Sequence, residues 1–110
     1  ATMSNGNIAL MVDMAKYANL PWDTILGAEL AHAYKPDAKT YLTGVELLHL
    51  IPEQVMMVAA HGWDVSGAKA AGLQTTFIER PGKTMYPLGL TPDYVLSTLT
   101  ELANTLTSEC

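Results

Sequence analysis

One acidic residue follows a buried strand at the point where a helix begins, and it is the first candidate for chemistry in this chain. The apolar run from Val55 to Ala60 lacks polar alternation, which is typical of a parallel strand covered on both faces. His61 and Asp64 come next, and small residues continue to Gly72, which suits the left-handed end of a short helix. Ligands in open α/β sheets bind beyond the carboxyl ends of strands, so this pattern places Asp64 at the rim of a site.

The rest of the chain predicts the elements that hold such a site. Ser4 and Asn5 follow three residues that suit the end of a strand, and either of them is expected to cap a mostly buried helix over 8–20. The proline after Lys35 favours an extended segment there, and Asp37 is a good N-cap. The other predicted elements are a strand over 24–28, a helix over 38–50, strands over 74–78 and 94–96, a loop over 80–83 and a helix over 99–106.

The order of these elements predicts the fold class. Strands and helices alternate without an antiparallel hairpin signal, which indicates α/β architecture with a Rossmann-like parallel sheet flanked by helices. Two interpretations of the last part stay open, because residues 91–106 could form one helix whereas 94–96 could be a strand. The strand is favoured. Thr98 and Glu101 then have the spacing of a capping box for a separate last helix.

Size, charge and composition exclude several classes of protein. The 110 residues are 49% hydrophobic and 15% charged, as in one globular domain spanning 1–110. The formal net charge is -5 and the six Lys and Arg residues are scattered, so no nucleic acid or membrane surface is an expected partner. Cys110 is the only cysteine, and no signal peptide or membrane-spanning run is visible, which favours the cytoplasm.

Three short motifs occur in an order that resembles the haloacid dehalogenase superfamily, most closely its type II (L-2-haloacid) dehalogenases. They are Ser4-Asn5-Gly6 after a strand, Lys35-Pro36-Asp37 before a helix, and Trp63-Asp64-x-x-Gly67-Ala68 after the next strand. The resemblance spans nearly all of the chain. It implies a hydrolase without cofactor or metal, in which an Asp nucleophile displaces halide from a short 2-haloacid and water hydrolyses the resulting ester.

The resemblance also implies a role for each matched residue. Ser4 is expected to hold the substrate carboxylate, and Asn5 to lie on the halide side. Lys35 is expected to pair with the nucleophilic carboxylate, while Asp64 positions Lys35 or the hydrolytic water. The predicted substrate-binding residues are Tyr41, His61 and Trp63.

Two features depart from the family pattern. Ala59-Ala60-His61 stands where type II dehalogenases often have Ser-Ser-Asn, so His61 could hydrogen-bond near the nucleophile, act as a base or tune substrate choice. The first family motif, Asp-x-x-Gly-Thr, which carries the nucleophile, has no match, and the helical cap after it is missing too. The chain is therefore expected to be a C-terminal fragment whose sheet lacks its central strand, between the strands ending at Ser4 and Ala60.

A sheet without its central strand would expose two edges and a large apolar surface. The chain is therefore expected to be inactive alone. It is expected to be stable only with the N-terminal half of the same protein or as a strand-exchanged homo-oligomer.

Other interpretations stay open. In phosphatase relatives the acid matched by Asp64 binds magnesium, so a magnesium-dependent phosphatase is the second hypothesis. The third is a non-catalytic module that binds a partner through its open sheet edges. Asp64 could also be an ordinary helix N-cap, Lys35 a solvated charge and Trp63 a packing residue. His32 and His49 are expected to be structural, since neither has a second ligand at zinc spacing.

Overall fold

Strands and helices alternate along the chain, as its hydrophobic pattern predicts. The computed structural model describes residues 1–81 and 91–108. The strands in these residues are β1 (Thr2–Ser4), β2 (Ile25–Gly27), β3 (Met56–Ala59), β4 (Gln74–Ile78) and β5 (Tyr94–Leu96). The helices are α1 (Ile8–Ala18), α2 (Ala28–Ala31), α3 (Ala38–Leu47), α4 (Gly62–Ala70) and α5 (Leu99–Ser108), with a 3-10 turn over Pro52–Gln54.

The strands form two parallel groups rather than one continuous sheet. β1 pairs with β2, so that Ser4 lies beside Gly27. The second group has the order β3, β4, β5, with Ala59 beside Phe77. Parallel pairs joined by helices confirm the predicted α/β class. Among the described residues no strand pairs between β1 and β3, and this break is at the position where the family resemblance implies a missing central strand.

Two helices hold the groups of strands together. The centre of the core lies between α3, α4 and the residue before β4, and consists of Tyr41, Val45, Ala68 and Leu73. Met3 of β1 and Met57 of β3 pack against this cluster from the two groups of strands. Each large apolar side chain buried in such a core contributes about 1.5–3 kcal/mol by leaving water, so this shared cluster links the two groups.

Side-chain caps set where two of the helices begin. The Asn7 side chain accepts a hydrogen bond from the α1 backbone at 2.8 Å, so the prediction that Ser4 or Asn5 caps α1 is wrong. Both of those side chains bind other backbone groups instead. Asp37 accepts a hydrogen bond from Lys39 N at 2.9 Å, which confirms it as the N-cap of α3.

α1 is more exposed than its apolar sequence predicts. None of its residues is buried, and Leu10, Met14 and Tyr17 form a stripe on one helix face with exposures of 47%, 53% and 95%. The helix packs against β2 in a group that has two strands within residues 1–81 and 91–108, which is too narrow to cover a helix on several sides. The prediction of a mostly buried helix is therefore wrong for this chain.

Several bounds differ by a few residues from those predicted. α3 ends at Leu47 rather than at residue 50, and the chain leaves it through His49, which has a positive φ of 57°. α5 extends to Ser108, and Thr98 caps it by accepting a hydrogen bond from Glu101 N at 3.1 Å. The four-residue helix α2 is too short to leave a periodic signal in the sequence.

The chain leaves α4 through Gly72 in the left-handed region, as the sequence predicts. Gly72 has a φ of 98°, a backbone conformation that favours glycine. The predicted loop over 80–83 is described only to residue 81, and Cys110 lies outside the described residues. In the two described ranges, no helix has the length and apolar character needed to cross a membrane.

Candidate active site

A buried ion pair connects the elements on the two sides of the break. The Lys35 ammonium donates to Asp64 Oδ2 at 2.6 Å, and the two side chains are 8% and 6% exposed. Lys35 lies after β2 and α2, whereas Asp64 is the third residue of α4, which follows β3. Each charge needs the other at this depth, because an unpaired buried charge is strongly destabilising. The contact therefore links the positions of the two elements.

Asp64 is held from a second direction by Tyr41. The hydroxyl of the fully buried Tyr41 donates to Asp64 Oδ1 at 2.7 Å and lies 3.1 Å from the Asp64 carbonyl oxygen. Burial raises the pKa of Tyr41 above its ordinary value of 10.0, and the hydrogen bond to Asp64 and the charge of Asp64 raise it further. Tyr41 therefore remains a neutral donor, and both carboxylate oxygens of Asp64 have a partner.

Lys35 lies in a turn and not in the extended segment that the following proline predicts. Asp37 N donates to Tyr34 O at 3.0 Å across this turn, and the peptide bond between Lys35 and Pro36 is cis. Asn5 Oδ1 accepts a hydrogen bond from Lys35 N at 2.8 Å, which ties the turn to the end of β1. The Lys35 backbone is thus held on the β1 side while its ammonium reaches α4.

Ser4 and Asn5 lie at the carboxyl end of β1, where the motif predicts them. Ser4 Oγ accepts a hydrogen bond from Gly6 N at 3.0 Å, which leaves the hydroxyl hydrogen able to donate. The amide oxygen of Asn5 must face the Lys35 N–H, so the two Nδ2 donors of Asn5 face away from the turn. Both residues can therefore act as donors to an anionic ligand.

His61 and Trp63 lie at the start of α4 beside the ion pair. Their ring centroids are 5.7 Å apart, and the Lys35 ammonium is 5.9 Å from the Trp63 ring centroid, within range of a cation–π contact. His61 occupies the N-cap position, although its side chain does not cap the helix. The alternative interpretation of Asp64 as an ordinary N-cap is wrong, because its carboxylate binds Lys35 and Tyr41.

A cavity of about 930 Å³ lies between the two groups of strands, and we name it the inter-sheet cavity. Residues 1–3 of the β1 segment and 56–60 of the β3 segment both line it. The predicted site residues that line it are Lys35, Tyr41, His61 and Asp64, and those that do not are Ser4, Asn5 and Trp63. The ion pair and its partners therefore border the space that a central strand would occupy.

Arg80 also lines the inter-sheet cavity, although the sequence pattern indicates only a loop at this position. It is the single arginine of the sequence and lies two residues beyond the end of β4. Its place after a strand end is the signal that could have marked it, because such ends share one edge of a parallel sheet.

The surroundings of Asp64 fit an ammonium group better than a magnesium ion. Within residues 1–81 and 91–108, no three His, Cys, Asp or Glu side chains come together as a metal site requires. The Asp64 carboxylate contacts a cation and a hydroxyl donor, whereas Mg²⁺ requires an octahedral set of oxygen ligands. The arrangement can present a buried, oriented lysine ammonium to an anionic group that enters the cavity.

The fold and the site together define a class of protein. Parallel strands carry Ser4 and Asn5 at one strand end and Asp64 after another, and Lys35 reaches Asp64 from the turn before α3. The chain belongs to the haloacid dehalogenase-like hydrolase family, which matches it over residues 7–78. This match confirms the resemblance carried by the three motifs.

Individual relatives are dehalogenases by name. Haloacetate dehalogenase H-2 from Moraxella sp. (strain B) is 34% identical over 98 residues, which cover 87% of this chain and 44% of that protein. The solved L-2-haloacid dehalogenase PA0810 is 44% identical, with a TM-score of 0.85 and coverage of 94% of this chain and 48% of that chain. The defluorinating L-2-haloacid dehalogenase Rha0230 is 42% identical, with a TM-score of 0.83 and coverage of 94% and 45%. The chain thus spans about half the length of the relatives it matches.

Proposed function

We propose that this chain forms one part of the active site of a hydrolase that removes halide from short 2-haloacids. The observation that carries the proposal is the ion pair of Lys35 and Asp64, 2.6 Å long and buried beside the inter-sheet cavity. A cation held in this way favours the ionised form of a carboxylate placed opposite it. The substrate class is supported by the names of the relatives, which are dehalogenases of haloacetate and of (S)-2-haloacids.

The proposed reaction has two steps. A carboxylate that enters the inter-sheet cavity attacks the carbon bearing the halogen, so that a C–O bond forms while the C–halogen bond breaks and halide leaves with the electron pair. Water then adds to the carbonyl carbon of this ester and the acyl C–O bond breaks. The leaving alkoxide takes up one proton of the water and becomes the 2-hydroxyacid, while the other proton passes to solvent and the carboxylate is restored. Lys35 keeps the attacking carboxylate ionised and oriented, while Asp64 and Tyr41 keep Lys35 in place.

The remaining predicted residues contact the substrate in this proposal. Ser4 donates its hydroxyl hydrogen to the substrate carboxylate, and Asn5 offers its Nδ2 donors on the halide side. The bond from Lys35 N to Asn5 Oδ1 supports this role, since it leaves only donors on the free end of the amide. The rings of His61 and Trp63 border the substrate beside Lys35 in this proposal, which is supported by their contact with each other and by the cation–π contact. Of the two, only His61 lines the inter-sheet cavity itself.

We further propose that the attacking carboxylate belongs to the N-terminal half of the same protein, which fills the inter-sheet cavity. This is supported by the length of the relatives and by the strand order, because within the described residues neither β1 nor β3 has a neighbour on its cavity side. A strand-exchanged homo-oligomer is the other arrangement that would cover these edges. A cytoplasmic location rests on the sequence prediction.

The other two hypotheses have less support. A phosphatase would need a magnesium ion at Asp64, whose carboxylate is instead paired with Lys35 and Tyr41. A non-catalytic module would need no buried lysine at the edge of a cavity, because burial of a charged lysine has a desolvation cost that a solvent-exposed lysine avoids.

The function can be tested in a completed protein, made by joining this chain to the preceding segment of its gene. We expect halide release from 2-chloropropionate without added magnesium, and fluoroacetate belongs in the substrate panel because one similar protein is a defluorinating enzyme. Lys35→Met should lower kcat/KM by at least about 100-fold, since it removes the charge that orients the nucleophile.

Lys39→Met is the matched control, because Lys39 is an exposed lysine four residues further on. It should keep kcat/KM within about twofold, as surface substitutions usually have small effects. Wild-type activity in Lys35→Met would contradict the proposed role of the ion pair. Hydrolysis of p-nitrophenyl phosphate that depends on magnesium, without halide release, would favour the phosphatase hypothesis.

A further inference from the structure

α4 passes close to the turn that carries Lys35, and it does so at a glycine. A Cβ atom added to Gly67 would lie 2.7 Å from Pro36 Cβ, 3.1 Å from the Tyr41 hydroxyl oxygen and 3.2 Å from the Pro36 carbonyl oxygen. The first of these separations is shorter than real Cβ contacts. The small residues of α4 suggest close packing on the sheet, but at Gly67 the closest neighbours belong to the turn and to α3.

None of these neighbours can move away without affecting the ion pair. Pro36 Cβ is part of a rigid ring directly after Lys35, and the Pro36 carbonyl belongs to the backbone of the same turn. The Tyr41 hydroxyl is fully buried and donates to Asp64. An added methyl group at Gly67 would therefore push on both groups that hold the site together.

The position of Gly67 along α4 makes this contact informative. Gly67 follows Asp64 by three residues, so the two lie on the same face of the helix. A shift of the turn away from Gly67 is therefore also a shift of Lys35 away from Asp64. The 2.6 Å contact between Lys35 Nζ and Asp64 Oδ2 leaves little room for such a shift.

We propose that Gly67 is a positioning residue whose missing side chain sets the distance between α4 and the Lys35–Pro36 turn at which Lys35 and Asp64 meet. The catalytic consequence of this inference rests on the proposed function. The structural part concerns packing between residues of this chain and can be tested in the completed protein without substrate.

The first test follows the Lys35 ammonium directly in the completed protein, without substrate. A buried ammonium bonded to Asp64 should give a slowly exchanging ¹H–¹⁵N signal in NMR spectra, assigned by its loss in Lys35→Met. Gly67→Ala should remove or broaden this signal while the circular dichroism spectrum stays that of a folded protein. Ala70→Ser adds one atom to the exposed side of α4 and should leave the signal in place. An unchanged Lys35 signal in folded Gly67→Ala overturns the proposal.

The second test uses thermal unfolding, in which the direction of the change in melting temperature caused by Gly67→Ala decides between the two cases. Alanine is a better helix former than glycine, so Gly67→Ala would raise the melting temperature if the site were open. We expect the melting temperature to fall instead. The fall should be smaller in a Tyr41→Phe background, because this change removes one of the crowded atoms. A rise in melting temperature, or equal falls in both backgrounds, overturns the proposal even where Gly67→Ala is too unstable for NMR.

The third test concerns catalysis in the completed protein. Gly67→Ala should lower kcat by about 100-fold while KM changes less than threefold, since misplacement of a catalytic group by about 1 Å has effects of this size. A KM effect without a kcat effect overturns the catalytic part of the inference. If the wild-type completed protein releases no halide, the proposed function fails, whereas the NMR and melting results still decide the role of Gly67.

Discussion

At the scale of single residues, Tyr41 does more than line the pocket as predicted, because it also holds the Asp64 carboxylate through a hydrogen bond. Its hydroxyl is fully buried and donates to the carboxylate that holds Lys35. Burial is the main reason that the pKa of Tyr41 is raised, and the hydrogen bond to Asp64 and the negative charge of Asp64 raise it further, since a phenolate here would put two negative charges in contact. The folded state therefore depends on a protonated Tyr41.

This dependence predicts a loss of stability at high pH. The pKa of Tyr41 is raised in the folded state, so above its ordinary value of 10.0 the unfolded chain releases a proton that the folded chain keeps. The free energy of unfolding should fall by about 1.4 kcal/mol per pH unit above pH 10 from this group alone. Tyr41→Phe should lack this component of the slope in urea unfolding at pH 9, 10 and 11.

Tyr17→Phe provides the control, because Tyr17 is 95% exposed. It should keep the wild-type slope between pH 9 and 11. At pH 8 we expect Tyr41→Phe to be less stable than wild type by about 2 kcal/mol, since Asp64 loses a hydrogen bond to a charged group. Parallel curves for wild type and Tyr41→Phe above pH 10 would show that Tyr41 does not limit alkaline stability.

At the scale of secondary structure elements, Asp93 connects α4, β4 and the chain entering β5. Asp93 Oδ1 accepts a hydrogen bond from the Lys69 ammonium at 2.8 Å, and Oδ2 accepts one from Thr75 N at 2.8 Å. Asp93 N also donates to the Thr75 carbonyl oxygen at 3.1 Å. The bond to Lys69 and then the bond from Thr75 N lower the pKa of Asp93 below its ordinary value of 3.8. These contacts fix the edge of the three-stranded group.

The lowered pKa of Asp93 predicts a small loss of stability in acid. Its contribution is present above the unfolded value of 3.8 and is lost as the pH falls through the lower folded value. Because the pair with Lys69 is about one third exposed, we expect Asp93→Asn to cost no more than about 1 kcal/mol at pH 6. Urea unfolding from pH 6 to pH 2.5 should show the two proteins converging.

Asp13→Asn serves as the comparison for Asp93→Asn, since Asp13 is an exposed acid on α1. It should track the wild-type curve across this range. A constant difference between wild type and Asp93→Asn down to pH 2.5 would mean that the Asp93 charge contributes nothing to the connection of α4, β4 and β5.

The elements were predictable where a local signal marks them. Asn19 ends α1 in the left-handed conformation, Asp37 begins α3 with its side chain, and Gly72 follows α4 at a positive φ. The exposure of α1 was not predictable, because burial depends on how much sheet lies under a helix. The bond from Lys35 N to Asn5 was not predictable either, since it joins residues 30 positions apart whose contact depends on the packing of β1 beside β2.

In the candidate site too, residues marked by a local motif were predictable, whereas contacts that depend on packing were not. The motifs contain Lys35 and Asp64, and the family resemblance implies Tyr41 as a substrate-binding residue. The structure brings all three together through hydrogen bonds of 2.6 and 2.7 Å. The place of Gly67 against Pro36 could not be derived from sequence, because it depends on the approach of α4 to a turn on the other side of the break.

At the scale of the whole molecule, the break between β1 and β3 is the feature that most affects association with other chains. Each of these strands has a neighbour on one side, and the inter-sheet cavity of about 930 Å³ lies on the other. The exposed stripe of Leu10, Met14 and Tyr17 on α1 adds further apolar surface. Unpaired strand edges and apolar patches of this kind promote association.

We therefore expect the isolated chain to self-associate in sedimentation experiments. Addition of the N-terminal half should replace these oligomers with a 1:1 complex and raise the melting temperature. At a concentration of the added half equal to 100 times its Kd, the gain in stability should be about 2.7 kcal/mol.

A variant in which two of residues 56–60 are replaced by lysine provides the control, because charges on this wall should weaken the complex. A monomeric chain that melts cooperatively without any added half would contradict the prediction. It would mean that the inter-sheet cavity does not require an occupant for folding.

The inter-sheet cavity also constrains how this sequence can change during evolution. Its walls come from residues 1–3 and 56–60, which are far apart in the chain but face the same space. A larger side chain on either wall is tolerated only if the segment that fills the space becomes smaller at the matching position. Substitutions along these two walls are therefore expected to covary with that segment across homologues, whereas substitutions in the exposed stripe of α1 are expected to vary independently of it.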